Sequence, residues 1–211
     1  MRRHVSSFAG AAFNAAAALG AGTALLLAGG CSGLHSKEGA PQTYTLVSVA
    51  PPAVVSTPAG AATVQVLRPL AAPGLDTEGI ALLRDTHRLD YYAASRWPAP
   101  LPDLVQTLAV DALRAAGHFR AVQPDATALA SDDVLQIEIR HCEVEYSGDG
   151  SPVVHVQLLA TLGQRSDRAL LANVTAESSK SASENRMQSV VSAFQAAIDD
   201  ALNQLAAKLA Q

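Results

Sequence analysis

Hydrophobic and polar positions alternate most regularly between residues 134 and 146. Leu135, Ile137 and Ile139 fall on one side, and Gln136, Glu138 and Arg140 on the other. A period of two marks a strand with one buried face. Past Arg140 the apolar positions become Cys142, Val144 and Tyr146, which is the opposite parity. A strand keeps one buried face through such a change only by inserting an extra residue, so the pattern predicts a β-bulge near Arg140 and His141. Asp149-Gly150 then reads as a turn. Val154, Val156, Leu158, Ala160 and Leu162 form the inner face of the next strand, residues 163–168 a polar hairpin loop, and Leu170, Ala172, Val174 and Ala176 the inner face of a returning strand.

Two stretches switch to helical spacing. Leu101, Leu104, Val105, Leu108, Ala112 and Leu113 make one stripe, which predicts a helix over residues 102–116. Pro102 is tolerated in the first turn because its missing N–H would be unpaired there, and Gly117 is a natural stop. Met187, Val190, Val191, Phe194, Ile198, Ala201, Leu202, Leu205 and Leu209 make the second stripe, in a helix expected from Glu184 to Ala210 with Ser181 and Glu184 as a capping box. Each stripe covers one face, so both helices rest on a sheet. Upstream, residues 43–49 and the Val64–Leu67 run read as strands, and residues 50–62 and 71–76 as loops. Ile80–Arg84 and Arg88–Tyr92 read as a hairpin around Asp85-Thr86-His87, and Phe119 and Val122 lead into a short strand. The order implies an α+β fold, a mostly antiparallel sheet with two helices packed on one face.

The first thirty residues belong to a different regime. Arg2-Arg3 precede 23 uncharged residues, Phe8 to Gly30, which are densest at Leu25-Leu26-Leu27 and end in Ala28-Gly29-Gly30-Cys31. A basic start, an apolar middle and small residues before a cut describe a secretory signal. A cysteine at the cut resembles a lipobox, although leucine stands at Leu27, one place earlier than usual. On this reading residues 1–30 are a lipoprotein signal peptide, Cys31 is the lipidated residue, residues 31–42 are a polar tether, and residues 43–211 are one domain. A run of this length is also long enough to span a bilayer, but its Ala and Gly content and Asn14 make that reading weaker. Ser32, in place of Asp after the cysteine, favours the outer membrane.

The rest of the 211-residue chain excludes more than it offers. Fifteen Lys+Arg against 19 Asp+Glu give a net charge of −4, and loss of Arg2 and Arg3 makes it more acidic. A nucleic-acid partner is not expected, since no basic stripe is present to displace counterions. Two cysteines leave no disulfide framework, and no phosphate loop, GxSxG, HExxH or CxxC motif occurs. His141 and Cys142 are neighbours on a strand and face opposite ways, so they do not share a metal easily. Cys142 reads as a buried hydrophobe and His155 as a solvent-side histidine. Asp132-Asp133 and Asp199-Asp200 read as solvated or capping acids. No catalytic residue, metal or cofactor is expected. Tyr91, Tyr92 and Trp97 form the one aromatic cluster: either a partner surface or ordinary packing, with at least one of the tyrosines facing inward.

Several of these segments occur together in a familiar order. They are the lipobox, Tyr44-Thr45-Leu46, Val64-Gln65-Val66, Pro73-Gly74-Leu75-Asp76, the Tyr91-Tyr92-Ala93-Ala94-Ser95-Arg96-Trp97 run, Pro100-Leu101 opening a helix, and Gly117 to Val122. This resembles the ABC-type transport auxiliary lipoprotein (PqiC-like) family from about Tyr44 to Leu209. The resemblance implies a sandwich similar to the amino-terminal domain of TolB. It also implies a non-enzymatic, lipid-anchored outer-membrane protein facing the periplasm, with an MCE-domain protein and its ABC permease and ATPase as partners in phospholipid traffic. Self-association is a further expectation, and regulation of another envelope machine, such as cell-wall synthesis, is the alternative.

Overall fold

The computed structural model describes residues 40–48, 61–84, 87–127, 129–146 and 151–210. The signal segment, Cys31 and the turns expected at Asp85-Thr86 and Asp149-Gly150 lie outside the described residues.

Among the described residues nine strands and two helices follow in chain order: β1 Gln42–Thr43, β2 Thr63–Val66, β3 Leu70–Ala71, β4 Gly79–Arg84, β5 Arg88–Arg96, α1 Leu101–Ala116, β6 Ala121–Pro124, β7 Asp133–Tyr146, β8 Val153–Gln164, β9 Leu170–Ser181 and α2 Met187–Leu209. All strands join one sheet, and β7 is its axis. One edge of β7 pairs antiparallel with β8 along nearly its whole length. The other edge takes three parallel partners in succession: β2 at Asp133–Leu135, β3 at Glu138–Ile139 and β4 at Val144–Tyr146. The long pairs β7–β8, β8–β9 and β4–β5 are antiparallel, as the alternation implies, whereas the short strands pair in parallel.

The bulge stands where the parity change places it. Ile139 faces Leu158 and His141 faces Gln157, which leaves Arg140 without an opposite residue. Leu135, Ile137 and Ile139 before it, and Cys142 and Val144 after it, are therefore all buried on one face. Val154, Val156, Leu158, Ala160 and Leu162 of β8 extend that face. Both helices cover it: α1 through Leu101, Val105, Leu108 and Leu113, α2 through Val190, Phe194, Ile198, Leu202 and Leu205. α1 ends on Gly117 at φ 70°, and the Gly117 N–H donates to the Arg114 and Leu113 carbonyls. Glycine takes this left-handed conformation without a Cβ clash.

Four expectations are corrected. The capping box does not form, because β9 runs through Ser181 and the Ala182 N–H donates to the Pro152 carbonyl at 2.8 Å, extending the ladder. The final helix consequently starts at Met187. The strand expected at 43–49 shrinks to Gln42–Thr43: the Tyr44 N–H makes a last bond to the Arg96 carbonyl of β5 at 2.9 Å, and beyond it Val47 exchanges hydrogen bonds with the Gln195 side chain on α2. β3 (Leu70–Ala71) forms at the start of the expected 71–76 loop because β7 has an open edge there. Leu170 is exposed because the β8–β9 register shifts there: Ala172 faces Leu162, but Leu170 faces Gly163, so the extra residue Leu171 turns Leu170 to the outer face.

Beyond Tyr92, β5 continues to Arg96 through an irregular stretch. Ala81 pairs with Tyr91 and Gly79 with Arg96, so β5 carries extra residues there, with Ala94 at φ 52°. This wide bulge turns the chain so that the Trp97 N–H reaches the Glu78 carbonyl and the indole enters the core. Trp97 is 1% exposed and meets Phe194 of α2 edge-on, ring centroids 5.4 Å apart at 90°. Edge-to-face contact matches the positive ring edge to the negative π face. Trp97→Ala is expected to destabilise the domain by about 3–5 kcal/mol and Trp97→Phe by about 1–2 kcal/mol in urea unfolding followed by circular dichroism.

Candidate functional site

The sheet face away from the helices is polar, and its centre lies beside the bulge. The extra residue at Arg140 puts His141, Glu143 and Glu145 on this face, while Cys142 and Val144 point inward. The β7–β8 register sets Glu143 opposite His155 and His141 opposite Gln157, and β9 brings Glu177 opposite Gln157. The His141 and His155 rings stack with centroids 4.7 Å apart and 23° between their planes. His141 Nδ1 lies 2.6 Å from Glu143 Oε1 and His155 Nε2 lies 3.0 Å from Glu177 Oε1. The Glu143 side chain is only 6% exposed, and its other oxygen accepts the Cys142 N–H at 2.6 Å. Among the described residues no strand pairs with β7 between β3 and β4, and there the Cys142 N–H is satisfied by this carboxylate. Hydrogen bonds from Gln157 and then His155 hold the Glu177 carboxyl below the usual carboxylate range.

Cys142 is buried, and burial, followed by the neighbouring Glu143 charge, pushes its thiol far above the usual range. A thiol held protonated in this way is a poor nucleophile. His155 is on the polar side, but beneath His141 its side chain is only 18% exposed, so it is more enclosed than a solvent-side histidine.

The aromatic trio is dispersed. Trp97 is a core residue. Tyr92 is half-buried: Tyr146 donates to Asn185 Oδ1 at 3.0 Å, so at their 2.8 Å contact Tyr92 donates to Tyr146. Burial, then Tyr146, raises the Tyr92 phenol above its ordinary value. Tyr91 alone of the three is 45% exposed, with its ring against Gly79 and its hydroxyl donating to the Gly74 carbonyl at 2.7 Å. The other exposed large apolar side chains, among them Leu70 and Leu129, lie on separate segments.

The two acidic pairs separate in the same way. Asp132 accepts from the Thr63 N–H and pairs with Arg120, both at 2.8 Å, while Asp133 is buried, its carboxyl raised by burial and then by Asp132. Asp199 accepts from Gln195. Asp200 joins α2 to β9, with Lys180 Nζ and Ser178 Oγ each donating to it at 2.8 Å. A second ionic hub lies at Arg68, which holds Asp76 at 2.8 Å and Asp103 at 2.6 Å and so ties the loop before β4 to the first turn of α1. A shallow depression of about 150 Å³ between α1 and β6, lined by Gln106, Asp111, Arg114 and Pro124 among others, is smaller than the roughly 300–1,000 Å³ of a small-molecule pocket. Among the described residues no helix is long and apolar enough to cross a membrane.

The family model described as ABC-type transport auxiliary lipoprotein component matches residues 44–208. The chain belongs to that family. Its fold is similar to the crystal structure of protein XCC0632 from Xanthomonas campestris, with 25% identity, a TM-score of 0.69, and coverage of 78% of this chain and 92% of that one. A second solved structure, of an uncharacterized protein, shares the fold at 14% identity and a TM-score of 0.61, covering 82% of this chain and 97% of that one. No curated protein matches the sequence. Within this auxiliary-lipoprotein domain, the Tyr91–Trp97 run owes its distinct pattern to the β5 bulge and the buried indole.

Lys180, then Ser178 and Gln204, hold the Asp200 carboxyl at about 2, below its ordinary 3.8. A depressed folded-state pKa contributes stability above the unfolded value that is lost as pH falls through the folded one. Because Lys180 and Asp200 are partly exposed, Asp200→Asn is expected to cost up to about 1 kcal/mol at neutral pH. In paired urea titrations, that difference is expected to fade between about pH 4 and pH 2.

Proposed function

We propose that this auxiliary lipoprotein is a non-enzymatic component of an MCE-type ABC system that moves phospholipids between the inner and outer membranes. In this reading it is held by acylated Cys31 at the outer membrane, facing the periplasm. The observation that carries the reading is the family match over residues 44–208, set behind a cysteine that ends an apolar leader. The chemistry of the domain is consistent with docking: its polar side chains cross-link strands and helices, as Arg68, Asp132 and Asp200 do, and its cysteine thiol is held protonated. Tyr91 is the exposed aromatic available to a partner, because aromatic side chains supply large contact area at low entropy cost. Three acyl chains anchor stably, since each buried methylene contributes about 0.8 kcal/mol and a single chain is marginal.

Two measurements test this. Intact mass of the native protein is expected to show loss of residues 1–30 and a triacylated Cys31, and Cys31→Ala is expected to move the protein from the outer-membrane fraction to an unacylated pool. Crosslinking in cells is expected to recover an MCE-domain protein, with recovery reduced by Tyr91→Ala. An intact, unacylated leader overturns the anchor, and recovery of a cell-wall synthase in place of any MCE protein overturns the transport role.

A further inference from the structure

The bulged face of β7 carries a cluster that the transport reading does not use. One ligand atom each from His141, Glu143 and His155 lies within 4.8 Å of the other two. Donors around a tetrahedral Zn²⁺ at 2.0–2.2 Å stand about 3.3–3.6 Å apart, so side-chain rotation of little more than 1 Å converts the cluster into a coordination shell. We propose that His141, Glu143 and His155 form a binding site for a divalent transition-metal cation of the Zn²⁺ class, clipping β7 to β8 across the bulge.

Three observations converge on this site. The first is orientation. Glu177 lies 3.0 Å from His155 Nε2 and is itself fixed by Gln157 Nε2 at 3.1 Å, which leaves His155 Nδ1 for the ion. A carboxylate behind a ligating imidazole is the usual arrangement, because it sets the tautomer and raises ligand basicity. Glu145 Oε1, 3.6 Å from that Nδ1, is placed to supply a fourth donor.

The second is charge. Glu143, Glu145 and Glu177 surround two imidazoles, and the ion-pair partner of each is a histidine. Among the described residues no Lys or Arg ion pair balances these carboxylates when the imidazoles are neutral, and with both imidazoles charged two stacked cations sit at 4.7 Å. A divalent cation relieves both. The third is access graded by depth: Glu143 is 6% exposed, His155 18% and His141 45%, which gives a preset floor and an open rim. Imidazole and carboxylate donors together suit zinc-like ions better than calcium, which prefers an all-oxygen shell.

The test uses the full-length chain purified in detergent, stripped with chelator and titrated with Zn²⁺ by calorimetry. One ion per chain at micromolar affinity is expected. His141→Ala, which changes a half-exposed side chain, and His155→Ala are each expected to weaken binding by about tenfold or more, while His87→Ala and His118→Ala leave it unchanged. Co²⁺ loaded into the unmodified protein gives a readout that does not depend on any variant folding. Intense tetrahedral ligand-field bands without a thiolate charge-transfer band are expected. Absence of saturable binding, affinity unchanged by both His141→Ala and His155→Ala, or a thiolate band placing the metal on cysteine overturns the site.

Discussion

One inserted residue in β7 organises this domain. Without Arg140 as a bulge, Cys142 and Val144 would face outward and the glutamates beside them would face the helices. Turning Glu143 and Glu145 into the apolar core, away from the histidines and the Cys142 N–H that now partner them, would leave buried charges unpaired, which costs several kcal/mol each. With the bulge, β7 keeps one apolar face over its whole length, and β8 pairs with it on both sides of the irregularity. The long strand then offers its other edge to β2, β3 and β4 in turn, so segments far apart in sequence meet on a single backbone. The same insertion sets two histidines and their carboxylates against one another on the outer face.

The sheet also has edges to protect. Among the described residues β9 pairs with β8 alone, so its second edge offers backbone groups that, left uncovered, would template aggregation. α2 covers this edge: Gln204 Nε2 donates to the Glu177 carbonyl at 2.9 Å and Lys208 Nζ to that of Thr175 at 2.6 Å. Asp200 adds the link to Lys180 and Ser178, so one helical turn after another is fixed to the strand. The helix thus supplies apolar cover on one side and hydrogen-bonding cover along the edge as far as Thr175.

The long elements were legible because their information is local. Alternation over β7, β8 and β9, the parity change at Arg140, and the stripe and glycine stop of α1 each sit within a few residues of chain. What escaped depends on partners distant in sequence. β3 is two residues long and exists because Glu138 and Ile139 have an open edge, which no property of Leu70 or Ala71 announces. Trp97, next to prolines and two tyrosines, had an open assignment until the β5 bulge, with Ala94 in a left-handed conformation, placed it against Phe194. The histidine pair was missed although a signal existed. Glu143 and His155 stand six residues either side of Asp149, and His141 and Gln157 eight, so a hairpin centred there, with the bulge already inferred, makes them neighbours.

The two sheet faces therefore divide the work. The inner face is spent on the helices, and the outer one shows Gln136, Glu138, Arg140, His141, Gln157 and Glu177 around the histidine stack. Placing such a surface in hydrocarbon would strip water from several charges at once, a cost no local contact offsets. The described domain has no face of that sheet to lend to a bilayer. In the proposed role, attachment to the membrane thus falls to the acyl chains on Cys31, while the domain meets other proteins. In that role anchoring and recognition fall to different segments of the chain.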